Sequence, residues 1–292
     1  MTTITPNTAI IIPALNSPII DHVITAILNQ SAIDHITQII VIGKDEAQLL
    51  PQHPLVRLID TGHPIPPGAA RNRGIQNSTA PYLIFLDSDC LPQPGWLAEH
   101  LNARHAGFAV VGGGVLPHGR NYWSLTYNLT MFHAYFSTSQ PAPRPFLPTL
   151  NLAVARTVID HVGLLDESLP RSQDLDWTTR MAAAGHQPYF WPSAAIDHHH
   201  NRTTWPLVWR DCVRSGHHAR QVRLQHATNL NTPFWLRSRP LTLALSPAIG
   251  AAVTLKIIAS APRLFLRHLT TIPAIYATKI GWCFGAAQKS EP

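Results

Sequence analysis

Asp87 and Asp89 stand one residue apart within residues 81–94, PYLIFLDSDCLPQP. Residues 82–86 are an apolar run with aromatic and β-branched members and no helical period, the pattern of a buried strand. Two carboxylates where such a strand stops cannot stay ionised in the interior unless a cation or hydrogen-bond donors offset them. Their place is therefore the mouth of a cleft. Hard carboxylate oxygens there would hold Mg²⁺ or Mn²⁺, with phosphate oxygens and water filling the other positions, a recurring way to bind a nucleoside diphosphate. Asp-Ser-Asp is equally ordinary turn chemistry at a strand exit, so the surrounding chain has to decide.

Residues 8–12 form an apolar strand that ends in Pro13, Ala14, Leu15 and Asn16. Residues 18–30 then carry Ile19, Ile20, Val23, Ile24, Ile27 and Leu28 at a helical period, and residues 36–42 read as a second buried strand before Gly43, Lys44 and Asp45. Strand, helix, strand at this spacing is a βαβ unit, which implies a parallel sheet. Ligands of open α/β sheets bind beyond the carboxyl ends of the strands. Asn16, the 43–45 turn and the Asp87/Asp89 pair all fall at such ends and converge on one crevice.

Further elements add donors. Residues 55–59 suggest another short strand. A helix opening near Gly68, with small residues for close approach, carries Arg71 and Arg73 near its start, where they suit a phosphate or a base edge. Residues 110–115 predict a strand whose three glycines would let a substrate approach the backbone. Six aromatic rings within residues 121–137 make either an acceptor wall or core. Asp174 and Asp176 open a helical stretch closed by Gly185, where one acid suits a simple cap and a helix-start carboxylate facing the crevice suits proton abstraction. In Asp197-His198-His199-His200, His198 and His200 can share a face of an extended chain.

The 292 residues are 45% hydrophobic, enough for one substantial core and incompatible with wholesale disorder. Three separated cysteines without metal-ligand spacing indicate a reducing compartment, and no basic region precedes the short apolar run at the start, so the chain reads as not exported. Charge is unevenly spread. Residues 1–199 carry 10 Lys and Arg against 14 Asp and Glu, a balance of −4, while residues 200–292 carry 12 against 2, a balance of +10. Basic residues interleaved with apolar runs favour an anionic membrane surface over nucleic acid.

AIIIPALN near the start, ARNRGI at 70–75, FLDSDC at 85–90, VVGGGV at 110–115, and LNLAVARTVIDHVGLLDE followed by QDLDWTTRMAAAG occur in order over about residues 8–200. In these segments the chain resembles glycosyltransferase family 2. The resemblance implies an α/β GT-A fold: a Rossmann-like nucleotide-sugar-binding domain with a mixed central sheet. It also implies that Pro13 and Asn16 edge the nucleotide pocket and that Arg71 contacts the nucleotide. Asp87 would meet the ribose or metal, Asp89 the metal, and Asp174 would be the general base of an inverting transfer. His198, or next to it His200, would complete the metal site or touch the diphosphate. The family's two aspartates after the second strand are Gly43 and Lys44 here, and the first acid of its acidic pair is Gln173.

The expected organisation is a GT-A domain over residues 1–202 and a membrane-associating helical tail over 203–292. Residues 205–223 read as an amphipathic helix with Trp and Arg together, and residues 241–255 and 269–287 as apolar segments short of a span. These lie in the interface, or one of them spans. No Q-x-x-R-W signature of processive members occurs. The expected activity is therefore a Mn²⁺- or Mg²⁺-dependent transfer of one sugar from a nucleotide sugar to a membrane-linked or cell-envelope glycan acceptor at the cytoplasmic face. Rivals are a degenerate nucleotide-sugar-binding subunit and a sugar nucleotidyltransferase.

Overall fold

The structure is a computed structural model and describes residues 7–289. It forms two compact units, Met1–Leu116 with Gln140–Asp197, and Pro117–Ser139 with His198–Pro292. Residues 117–139, which the sequence leaves inside the first domain, thus belong with the C-terminal helices.

In the first unit the elements are β1 (Thr8–Leu15), α1 (Ile20–Leu28), β2 (Ile36–Lys44), β3 (Val56–Asp60), α2 (Pro67–Gln76), β4 (Tyr82–Leu86), β5 (Cys90–Pro92), α3 (Trp96–His105) and β6 (Val110–Val115). In the second, α4 (Tyr122–Met131) follows. The chain returns to the first unit with β7 (Ala142–Pro143), β8 (Asn151–Ala155), α5 (Arg156–Val162), α6 (Gln173–Ala183) and β9 (Tyr189–His198). The sheet order is β3-β2-β1-β4-β8-β6-β9-β5, with β7 against β9. β1 pairs β2 and β4 in parallel, whereas β8 runs antiparallel to both β4 and β6. This is the mixed α/β sheet expected. β1 and β4 are buried on both faces, which explains their unbroken apolar sequences.

Glycine decides two close approaches. Gly43, at φ +140°, lies where a Cβ would strike the Ala14 carbonyl, so no other residue fits the end of the β1–β2 ladder. Gly74 lets α2 rest on the side chains of Ile11 and Ile42. The glycines of β6 correct the expectation of substrate access. Gly112 lies beneath Leu147, and Gly113 accommodates the Asn151 amide and the Ala194 carbonyl.

That Asn151 is a buried junction. Its Oδ1 accepts from Trp96 Nε1 at 2.8 Å and from His100 Nε2 at 2.9 Å, while its Nδ2 donates to the carbonyls of Ala194 (2.8 Å) and Gly114 (3.3 Å). β8, β6, β9 and α3 are joined through one amide. His100 must be neutral to sit there, and burial pushes its imidazole down to about 4.

The second unit is helical: α4, then α7 (Trp205–Gln225), α8 (Arg239–Ala244), α9 (Ser246–Ser260), α10 (Pro262–Arg267) and α11 (Ile272–Ala287). α7 and α11 approach closely because Gly216 faces the Trp282 carbonyl and Gly285 the Val213 carbonyl. Between α4 and its neighbours, Tyr127 donates to Asp211 at 2.8 Å and the Lys279 ammonium donates to the Thr130 carbonyl at 3.1 Å. Burial brings that lysine down to about 8. Of the six rings in 121–137, Tyr127, Phe132, Tyr135 and Phe136 are core and Tyr122 is exposed. Among the described residues no helix is long and apolar enough to cross a membrane. α9 has 15 residues and α11 has 16, each spanning roughly 22–24 Å against a hydrocarbon core of about 30 Å.

The His100 site sets a pH dependence. Its folded pKa, about 4, lies below the ordinary 6.5, so between these values the unfolded chain binds a proton that the folded chain refuses. The stabilisation is complete above pH 6.5 and is lost as pH falls toward 4, on the order of 3 kcal/mol in all. Urea unfolding at stepwise pH should show this loss, with a shallower slope in His100→Gln.

Candidate active site

The acids of the first unit are held by four chain segments. β4 ends at Leu86, and the Asp87 amide donates to the Leu150 carbonyl at 3.1 Å, next to the Asn151 junction. The register of β4 on β8 thus fixes where the acidic turn begins. From the end of β1, Ser17 Oγ donates to the Ser88 carbonyl at 2.7 Å, which clamps the middle of that turn. Ser17 carries no sequence signal, and its role appears only in three dimensions.

From α2, Arg71 is 4% exposed and its Nη2 donates to Asp87 Oδ1 at 2.5 Å. Its Nε is buried without a hydrogen-bond partner. Arg73, two residues on, is exposed, so helical geometry assigns the inward role to Arg71 alone. The start of α2 is fixed by α6 and the loop before it. Gly68 lies under the Gln173 side chain and the Asp166 carbonyl. Asn72 Nδ2 donates to Glu167 (2.8 Å) and to the Leu165 carbonyl (2.9 Å), and its Oδ1 accepts from the Leu165 amide (3.0 Å). Gln173, where the family pattern has an acid, is 6% exposed and works as a packing residue on Gly68.

Asp174 lies in the first turn of α6, which opens on Ser172 at φ 62°. Its Oδ1 accepts from the Leu175 amide at 2.8 Å. Burial, the largest influence, holds its carboxyl above the usual range, and the Asp87 charge adds to this, while the Leu175 amide and the Arg71 guanidinium oppose it. Asp174 therefore senses both members of the Arg71–Asp87 pair. Asp176, the other acid of that motif, is bound to Arg180 at 2.9 Å and is structural.

Asp89 has the buried Cys90 thiol donating to its Oδ1 at 3.8 Å. Burial pushes that thiol well up, and the charges of Asp89 and Asp87 push it further. Two hard carboxylates, one guanidinium and an unsatisfied Nε make a donor set that fits a divalent ion with a phosphate-bearing ligand.

Pro13 lies in β1, opposite Ile42 of β2, and Asn16 follows the strand at φ 50°. Asn16 exchanges two hydrogen bonds with Glu46, donating to its carboxylate and accepting from its amide, both at 3.0 Å. Glu46 in turn pairs with Lys44 at 2.5 Å. That hydrogen bond and charge hold the Lys44 ammonium above its ordinary range and the Glu46 carboxyl below its own. Where an aspartate pair was missing, the chain thus presents a Lys44–Glu46–Asn16 cluster. Glu46 carries no motif signal in the sequence, since it falls past the positions of the family's aspartate pair. His198 closes β9. In the second unit its ring stands edge-on to Phe132 (5.1 Å between centroids) and His200 (4.8 Å).

The profile of glycosyl transferase family 2 matches residues 9–162. Glycosyltransferase AglE of Haloferax volcanii is 33% identical over 126 residues, covering 42% of this chain and 40% of that protein. The pre-mycofactocin glycosyltransferase of Mycobacterium tuberculosis is 27% identical over 168 residues, covering 55% of this chain and 36% of its own. The chain thus spans less than half the length of these two relatives. Among solved structures, the mannosyltransferase PcManGT from Pyrobaculum calidifontis, in complex with GDP-Man and Mn²⁺, superposes over 95% of this chain and 86% of its own, with a TM-score of 0.59 at 17% identity. The likeness extends to the fold.

Replacing Arg71 by Gln removes the only cation bound to Asp87 among the described hydrogen bonds. We expect a loss of roughly 1–3 kcal/mol at neutral pH by urea unfolding, since Asp87 is part-exposed. The Asp174 carboxyl should titrate at still higher pH by ¹³C NMR.

Proposed function

The chain belongs to glycosyl transferase family 2, and from that premise we propose that it transfers a single sugar from a nucleotide sugar to an acceptor hydroxyl with inversion. The observation that carries this reading is the Arg71–Asp87 pair with Asp174 in electrostatic reach of both. A charge-bearing donor site and a base for the acceptor then share one crevice. Pro13 and Asn16 edge the nucleotide pocket, with the Lys44–Glu46 pair beside Asn16 facing the base or ribose. Arg71 offers its unsatisfied Nε to the nucleotide.

Asp89, with the second oxygen of Asp87, would hold Mn²⁺ or Mg²⁺. Such an ion supplies Lewis-acid stabilisation of charge gathering on the leaving nucleoside diphosphate. Asp174 takes the acceptor hydroxyl's proton as that oxygen bonds to the anomeric carbon, and the bond from that carbon to the diphosphate breaks on the opposite face. A carboxyl held above its usual range is a better base than an exposed aspartate. The basic, apolar C-terminal helices support a lipid-linked or cell-envelope glycan acceptor and a position at the cytoplasmic membrane face.

Asp174→Asn should keep donor binding and lose turnover by about 10³-fold or more, a scale typical of removing a general base. In the parent protein, activity should fall as pH drops through a value above about 4, the ordinary carboxylate range. Undiminished turnover in the variant removes Asp174 from the role. Asp89→Ala should abolish the difference in nucleotide affinity measured by calorimetry with Mn²⁺ and with chelator. A persisting difference refutes the metal assignment.

A further inference from the structure

A helix with one wet face normally turns apolar residues inward, and α1 does so. Ile20, Val23, Ile24 and Ile27 are buried while His22 and Thr25 are exposed. α8 and α9 are built the other way. Thr242, Ser246, Gly250 and Thr254 form a buried stripe at four-residue spacing, each no more than 5% exposed where a side chain is present, with Ile257 the one buried aliphatic of α9. The stripe faces α11, with Gly250 against Tyr276 and Ile280. Thr242 satisfies its hydroxyl on the carbonyls of Trp235 and Ser238, both at 2.9 Å, without water.

The opposite stripe is apolar and open: Leu243, Ala244, Ala248, Ala251, Ala252 and Leu255 are exposed, the two leucines at 42% and 66%. Beyond it, Leu266 on α10 and Leu269 are 69% and 57% exposed. Cations accompany this surface, with Arg237, Lys256, Arg263 and Arg267 all exposed. No acidic residue occurs between Asp211 and Glu291.

We propose that the outward face of α8 and α9 docks flat on an anionic phospholipid bilayer, its leucines and alanines in the upper acyl region and the flanking basic side chains on the headgroups. The proposal takes from the functional reading only the membrane position, none of the transfer chemistry. Two features select this occupant. A second copy of the chain on the same face would set these cations against their own duplicates with no carboxylate to meet them, whereas lipid phosphates supply the missing anions. A 15-residue α9 is too short to cross, and an inward polar stripe with an outward apolar one suits a helix lying along the interface.

The test is co-sedimentation of the full chain with phosphatidylcholine vesicles, with and without about 30% phosphatidylglycerol, at low and high salt. Binding should require the anionic lipid and weaken with salt. It should fall about tenfold or more in Leu243→Asn/Leu255→Asn and, separately, in Lys256→Gln/Arg263→Gln/Arg267→Gln, as expected for losing apolar insertion or headgroup attraction. Unchanged urea midpoints and nucleotide affinity in the variants show that the fold and donor site are intact. Absence of binding to either vesicle overturns the proposal, as does equal binding by the parent and both variants. So does a lipid-free dimer, seen by analytical ultracentrifugation, that the leucine variant dissolves. A chain that binds vesicles as described yet turns over no nucleotide sugar leaves the docking standing and removes the transferase reading. Turnover without lipid binding does the reverse.

Discussion

Negative charge at the end of a fully buried strand is the constraint on which the first unit depends. β4 is wholly buried, and the chain leaves it through Asp87, Ser88 and Asp89. The fold answers with one buried guanidinium, Arg71, bound to Asp87 through a single nitrogen and left with an unsatisfied Nε. Burial is the main reason that the Cys90 thiol and the Asp174 carboxyl nearby are raised, and the Asp87 charge adds to both.

Most of the surrounding residues serve position rather than chemistry. Asn151 joins α3, β6, β8 and β9 through one amide and so sets the strand against which Asp87 is registered. Ser17 clamps the acidic turn from β1, Asn72 ties α2 to the loop before α6, and Gln173 packs where α2 begins. The glycines of β6 exist to admit Leu147 and Asn151. Residues of a family motif are thus divided between the reaction and the scaffold, and side-chain chemistry alone does not separate them.

The second unit follows a different rule. Its longest helices meet through Gly216 and Gly285 at backbone distance, and its interior keeps Asp211, Thr130 and Lys279 in hydrogen bonds. Small and polar groups line the inward stripe of α8 and α9 while Phe234, Leu255 and Leu266 stay exposed. In water this leaves apolar area uncovered. The basic composition of residues 200–292 gives that surface its electrostatic character.

The sequence by itself determined the strands β1, β2, β4 and β6, the helices α1, α2 and α7, and the acidic turn, because runs of apolar residues and their period are local properties. Together with the motif order it indicated the family and the mixed α/β class. β5, β8, β9 and α3 were not legible, being short or built of residues whose burial comes from distant partners such as Leu150 to Asp87 and Ala195 to Gln93. The family resemblance singles out Arg71 and Asp174, and the tertiary structure supplies the physical reason, with Arg73 exposed and Asp176 bound to Arg180. Only the tertiary structure turned the missing aspartate pair into a Lys44–Glu46–Asn16 cluster and moved residues 117–139 to the helical unit. The Arg71–Asp87 and Asn16–Glu46 contacts join residues 16 and 30 positions apart, and residue type and spacing carry no record of which distant neighbour a side chain meets.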